Sequence, residues 1–212
     1  MDQLTIALAK GRTAKQAIKL LQNADITFPD FHPSSRKLVF RNPENTVKLV
    51  FVKSVDVCTY VETGAADIGV VGKDNILEAD ADIYELLDLR LGKCKFCVAG
   101  PKNTPPLERV DQLTVASKYP RVAKQYFLKK GIPIETIKLN GSVELAPIIG
   151  MADVIVDIVE TGNTIRENGL KIIADIKDIS TRLIVNKASF ATKTGSIQRI
   201  IDQIKSGLEC SV

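Results

Sequence analysis

The sequence predicts an α/β fold in which parallel strands are covered by helices. Short apolar runs alternate with segments of helical period along most of the 212 residues. The polar loops with the most distinctive composition follow strands, which is where α/β proteins collect their ligands. A proline-rich segment at 101–106 and a change of texture near Leu91 predict that a second lobe begins about there.

The elements follow in order. LTIAL at 4–8 is an apolar strand, and TAKQAIKLLQNA after it sets Ala14, Ala17, Ile18, Leu20 and Leu21 at helical spacing. RKLVF and VKLVFV, separated by the turn signal RNPEN, read as a hairpin. A short helix is expected around 55–62, then the strands IGVV, IYELLDL and KFCVAG, the last closed by PKNTPP. The alternation resumes with LTVAS, a helix through YPRVAKQYFLKKG that Gly131 stops, TIKLN, the helix VELAPIIG and the strand VIVDIV. Strands around LKIIADIKDIS and RLIVN follow, and amphipathic ATKTGSIQRIIDQIKSGL closes the chain as a helix.

Composition excludes several classes of function. The chain is 45% hydrophobic and 25% charged, which is ordinary for a globular protein with real cores. Its formal net charge of +4 comes with 5% aromatics and no Trp, a balance that suits a small anionic ligand and no nucleic acid. No run approaches the ~20 apolar residues of a membrane-crossing helix. MDQLTIALAKGR has an acid at position 2 and no small-residue cleavage site, so no signal peptide is expected.

Of Cys58, Cys94, Cys97 and Cys210, only CKFC has metal-ligand or redox spacing, and it lacks a second pair. Because the same residues read as a buried strand, thiols packed as small apolar groups are the preferred account, and a reducing, cytoplasmic location follows. His32, the single histidine, lies in the Pro-rich turn PDFHPSS and reads as a surface loop residue.

Three loops carry the chemistry. Lys10-Gly11-Arg12 follows LTIALA and opens a helix, so two cations join free backbone amides in a setting that suits a phosphate chain; a solvated helix start is the plain alternative. The second, 66–74 (ADIGVVGKD), sets a strand between Asp67 and a Gly72-Lys73-Asp74 turn. Gly69 and Gly72 would there admit a ligand close to the backbone, against the alternative of an ordinary turn. The third, VDIVETGNT at 156–164, runs from an apolar strand into the turn Thr161-Gly162-Asn163-Thr164. Such a turn can aim several N–H groups and two hydroxyls at one phosphate. Asp157 and Glu160 would repel that phosphate, but carboxylates accept hydroxyl hydrogen bonds well, so a ribose 5-phosphate answers both features; the alternative is an acidic helix cap.

The pattern D-x-x-x-T-G-x-T after a strand resembles the phosphoribosyl-diphosphate (PRPP) loop of phosphoribosyltransferases. With ALAKGR, DVCTYVETGAADIGVVGKD, DLRLGKCKFCVAG, ASKYPRVAKQYF and KLNGSVELAPIIGMADVIVDIVETGNTIRENGL in that order, nearly the whole chain resembles the ATP phosphoribosyltransferase family of histidine biosynthesis. The resemblance implies a two-lobed architecture like a type II periplasmic binding protein, with the active site in the cleft. Lobe I would take 1–91 and 180–212, and lobe II 92–179. It implies Glu144 and Asp157 as catalytic residues beside the reacting sugar. PRPP would be held by Asp157, Glu160, Thr161, Gly162, Asn163 and Thr164. ATP and diphosphate would fall to Lys10, Gly11, Arg12, Lys53, Asp67, Gly69, Gly72 and Lys73, with magnesium (Mg2+) on the diphosphate rather than in a protein cage.

Long members of the family carry a C-terminal regulatory domain, whereas this chain resembles the short form. The implied partner is a regulatory subunit similar to histidyl-tRNA synthetase, in a hetero-oligomer built on a homodimer, with no nucleic acid and no membrane. Two positions depart from the family pattern. Lys53 stands where Arg is frequent, which removes a bidentate fork, and Cys58 where Pro is common. The competing readings are a type I phosphoribosyltransferase for a free base, whose loop usually has two adjacent acids where Asp157 is followed by Ile158, and a non-catalytic two-lobed binding domain.

Overall fold

The computed structural model describes residues 3–107 and 112–209, the side chains of residues 12, 13 and 209 excepted. The chain forms two compact units, one of the residues up to Gly92 together with those from Ser180 on, the other Lys93–Ile179.

The first unit holds a six-stranded sheet. It contains β1 (Leu4–Ala9), β2 (Val39–Arg41), β3 (Val47–Val52), β4 (Ile68–Gly72), β5 (Tyr84–Asp88) and β11 (Thr181–Val185), in the order β2-β3-β1-β4-β11-β5. β1 pairs in parallel with β3 and β4, while β2 and β11 run antiparallel to their neighbours. Strand alternation feeds two cores. Leu4, Ile6 and Leu8 of β1 face α1 (Arg12–Asn23) and α8 (Thr194–Glu209), whose buried residues Ala14, Ala17, Ile18 and Leu21, and Ile197, Ile200, Ile201 and Ile204, recur at helical spacing. Ala7 turns to the other face, under Val57, Cys58 and Val61 of α2 (Val57–Glu62).

Gly69 in β4 makes that second contact possible. A Cβ there would lie 2.7 Å from Val61 Cγ2 and 2.9 Å from both Ile184 Cγ1 and Val57 Cγ1, so only glycine lets α2 sit this close to the sheet. After β4 the expected turn is a helix, α3 (Lys73–Ala79), and the single closing helix is two, α7 (Lys187–Thr192) and α8.

The second unit holds β6 (Cys94–Pro101), β7 (Leu113–Ser117), β8 (Ile134–Lys138), β9 (Val154–Val159) and β10 (Leu170–Ile179), in the order β10-β6-β9-β7-β8. β7 is parallel to β8 and β9, while β6 is antiparallel to β9 and β10, so both sheets are mixed where parallel sheets were expected. The strands that begin and end the second unit, β6 and β10, pair directly and run antiparallel. α4 (Pro120–Lys129) starts at a proline, which fits the first helical turn, and buries Val122, Ala123 and Phe127. The short helices α5 (Leu145–Ile148) and α6 (Asn163–Glu167) follow β8 and β9.

Candidate active site

In the second unit the site residues gather where β7 and β9 end. Ser117, the last residue of β7, is fully buried; its hydroxyl donates to the Val156 carbonyl and accepts from Tyr119 N at 2.8 Å. That bond clamps β9 one residue before Asp157. Asp157 is half-buried, stands opposite Cys97 of β6, and accepts at Oδ1 from its neighbour's amide, Ile158 N, at 2.8 Å.

Beyond it Glu160, Thr161, Asn163 and Thr164 are exposed, and Gly162 is buried with φ 74°, the left-handed conformation that reverses the chain into α6. Asn163 N donates to Thr161 Oγ1 at 3.4 Å. Glu144 immediately precedes α5 and is half-buried. Val143, Ile155 and Ile165, which lie beside Glu144, near Asp157 and beside Thr164, belong to one buried cluster, so these segments share an apolar floor.

Sequence reasoning missed Arg166 in this loop. Its guanidinium donates from Nη1 to the Thr161 carbonyl at 3.2 Å and from Nη2 to Asn163 Oδ1. The only signal was its position three residues after Asn163, a spacing that places both on one helical face.

In the first unit, parallel pairing brings cations from separate loops to one edge. Ala9 is in register with Val52, and Lys10 N donates to the Val52 carbonyl at 3.2 Å, so Lys10 and Lys53 extend from adjacent strand ends and both are exposed. Gly11 is exposed beside them, while the side chain of Arg12 lies outside the described residues. Lys73 follows the C-terminal end of β4, also parallel to β1, but its ammonium pairs with Glu85, which lies 3.5 Å from Arg182 Nε. Arg182 pairs in turn with Asp88 at 3.1 Å.

Three residues expected near the ligand also make contacts within the fold. Asp67 precedes β4 and so sits at the opposite end from Lys73. Its carboxylate accepts from Thr5 N (2.8 Å), Ser189 Oγ (2.7 Å) and Lys193 Nζ (2.9 Å), tying β1 and β4 to the closing helices. Burial opposes its ionisation, yet these hydrogen bonds and the Lys193 charge outweigh burial and hold the carboxyl below the usual carboxylate range. Gly69 packs against α2, as above. At Gly72 a Cβ would lie 2.1 Å from Asp74 Oδ1, so the close approach there is made by a neighbouring carboxylate.

Two of the cysteines are buried, as a packed thiol should be, and Cys94 is partly buried. Cys58 and Cys97 are buried free thiols, each pushed up to about 11, the first by burial and then the charges of Asp74 and Glu62, the second by burial and then Asp175. Cys94 and Cys97, three residues apart on a strand, project to opposite faces, which separates the CKFC pair; Cys210 lies outside the described residues. His32 is exposed. Among the described residues no group of three or more His, Cys, Asp or Glu side chains stands together to hold a metal, and no helix is long and apolar enough to cross a membrane.

The model of the family described as HisG: ATP phosphoribosyltransferase matches residues 53–206. The chain belongs to that family.

It is 60% identical over 206 residues to the ATP phosphoribosyltransferase of Oceanobacillus iheyensis, covering 97% of this chain and 99% of that protein. It is 53% identical over 201 residues to the enzyme of the same name from Clostridioides difficile, covering 95% and 96%. Among solved structures it resembles a chain of the ATP phosphoribosyl transferase (HisG:HisZ) complex from Thermotoga maritima, with a TM-score of 0.86 at 32% identity over 98% of this chain and 99% of that one. The periplasmic aliphatic sulphonate binding protein SsuA from Escherichia coli matches with a TM-score of 0.61 at 14% identity, over 98% of this chain and 73% of that one. This last likeness bears on the fold alone, and the α/β architecture of the family is the one that periplasmic binding proteins share.

Proposed function

We propose that the chain transfers the phosphoribosyl group of PRPP to a ring nitrogen of the adenine of ATP, giving phosphoribosyl-ATP and diphosphate, the first step of histidine biosynthesis. The observation that carries the reading is the strand-end loop at 157–164, a carboxylate followed by a left-handed glycine turn, in a chain of this family.

The ring nitrogen brings its own lone pair to the anomeric carbon of PRPP. A carbon–nitrogen bond forms as the carbon–oxygen bond to diphosphate breaks, and the diphosphate leaves with the bonding pair. The nucleophile needs no activating base, consistent with a chain that has one histidine, exposed in a turn. The protein's task is to manage charge in a cationic, sugar-centred transition state between two anionic substrates.

Asp157 accepts hydrogen bonds from the ribose hydroxyls, and with Glu144 it favours the positive charge that develops on the sugar. Thr161, Gly162, Asn163 and Thr164 hold the 5-phosphate, with Glu160 at the loop's entry. Lys10, Gly11, Arg12 and Lys53 serve ATP and the departing diphosphate; Lys53, a point charge, does so without the bidentate geometry of arginine. Lys73 reaches the diphosphate by exchanging its Glu85 partner for a phosphate oxygen. Magnesium would come bound to the diphosphate and would supply charge neutralisation there, while Lys10, Arg12 and Lys53 provide the protein's own positive charge for the leaving group.

The chain works as a homodimer within a hetero-oligomer, in the cytoplasm, beside a regulatory subunit similar to histidyl-tRNA synthetase; the HisG:HisZ complex of the Thermotoga relative supports the hetero-oligomeric part of this reading.

The loop assignment is tested by Asp157→Asn and Thr161→Ala. Both are expected to fold and to lose turnover or PRPP affinity, and full activity in both would remove the assignment.

A further inference from the structure

We infer that Arg166 is a positioning residue that holds the 161–164 loop in its phosphate-receiving conformation before substrate arrives. The inference rests on the reading of that loop as the PRPP site. One guanidinium bonds on both sides of Gly162, to the Thr161 carbonyl at 3.2 Å and to the Asn163 side-chain oxygen. The space a side chain would take at Gly162 is filled by the same group, since a Cβ there would lie 3.2 Å from Arg166 Nη1. The left-handed glycine and the arginine are thus one device, the turn made by the first and closed by the second.

Two electrostatic consequences follow. The Thr161 carbonyl and the Asn163 amide oxygen are negative dipole ends that would oppose an incoming phosphate, and the guanidinium takes up both. Asp157 and Glu160 place two carboxylates in the same segment, and the Arg166 guanidinium offsets one of them. A lysine would keep the charge but could not span two acceptors with a planar fork. Ordering the loop in advance also lowers the entropy lost on binding.

The test is calorimetric titration of PRPP and, separately, of ATP into the wild-type chain and R166A, R166Q and R166K. Losing a bidentate, charge-assisted contact predicts PRPP binding weakened about 10- to 100-fold in R166A and R166Q, with R166K between them and the wild type. ATP affinity stays within about twofold, and the melting temperature within about 2 °C, because the side chain is exposed. In the assembled enzyme the same variants raise the KM for PRPP and retain kcat at saturation. PRPP affinity within about twofold of wild type in R166A would overturn the inference. So would equal losses for ATP and PRPP with a lowered melting temperature, which would mark a general structural role. A wild-type chain that does not bind PRPP would instead overturn the reading of the loop itself, and the role of Arg166 with it.

Discussion

Gly69→Ala isolates the packing role assigned to this glycine. Its added methyl would meet three side-chain carbons at 2.7–2.9 Å. That is roughly 0.6–1.3 Å inside the favourable separation of about 3.5–4.0 Å. Val57, Val61 and Ile184, which supply those carbons, are fully buried and β-branched, so none can swing aside. The relief available is an outward shift of α2 from the sheet, an overpacking cost of about 1–3 kcal/mol. For a domain of this size that corresponds to a fall in melting temperature of about 3–10 °C. Thermal melts and urea midpoints of G69A against wild type measure it, with ATP titration alongside. A variant that melts with the wild type but no longer binds ATP would refute the packing argument and return Gly69 to the ligand's side.

Other outcomes follow from the same geometry. Asp67→Asn breaks a buried acceptor set shared by Thr5, Ser189 and Lys193, and is expected to cost about 1–3 kcal/mol at neutral pH, read by thermal melts. Because the folded-state pKa is depressed, the stability Asp67 contributes is present above the unfolded value near 3.8 and is lost as pH falls through the folded value. The gap between wild type and D67N should therefore narrow only in that acid range. Gly162→Ala must hold alanine at φ 74° and crowd Arg166, a strain of about 1–2 kcal/mol; PRPP titration should show weaker binding with ATP affinity unchanged. Cys58 and Cys97, with thiols raised to about 11, should stay unlabelled by a thiol reagent at pH 8 in the native protein, and mass spectrometry of the labelled chain checks this.

Much of the fold was legible because the apolar runs are clean. LTIAL, KFCVAG, LTVAS and VIVDIV are all strands, and the spacing of Ala14, Ala17, Ile18 and Leu21 made α1 visible. Strand direction was not legible, since a buried parallel strand and a buried antiparallel one share the same apolar pattern, and so β6, β10 and β11 broke the expectation of parallel sheets. α3 went unseen because a seven-residue helix straight after a strand has too few turns to show a period.

At the site, the turn at 161–164 was readable from composition, and the parallel register of β1 and β3 then set Lys53 beside Lys10. The hydrogen bonds of Asp67 were not legible, because Ser189 and Lys193, which donate to its carboxylate, are more than a hundred residues away in the chain. Arg166 escaped because its meaning lies in a side chain folding back over Gly162, a contact that no spacing rule specifies.

The proposed reaction is tested most directly by supplying ATP, PRPP and magnesium to this chain, alone and with a histidyl-tRNA synthetase-like partner subunit. Diphosphate release and the ultraviolet change of adenine alkylation are followed together. Both signals should appear in step, and fully once the partner is present. Binding of PRPP with neither signal under either condition would contradict the transfer to ATP and leave the loop as a phosphoribosyl site for another nucleophile.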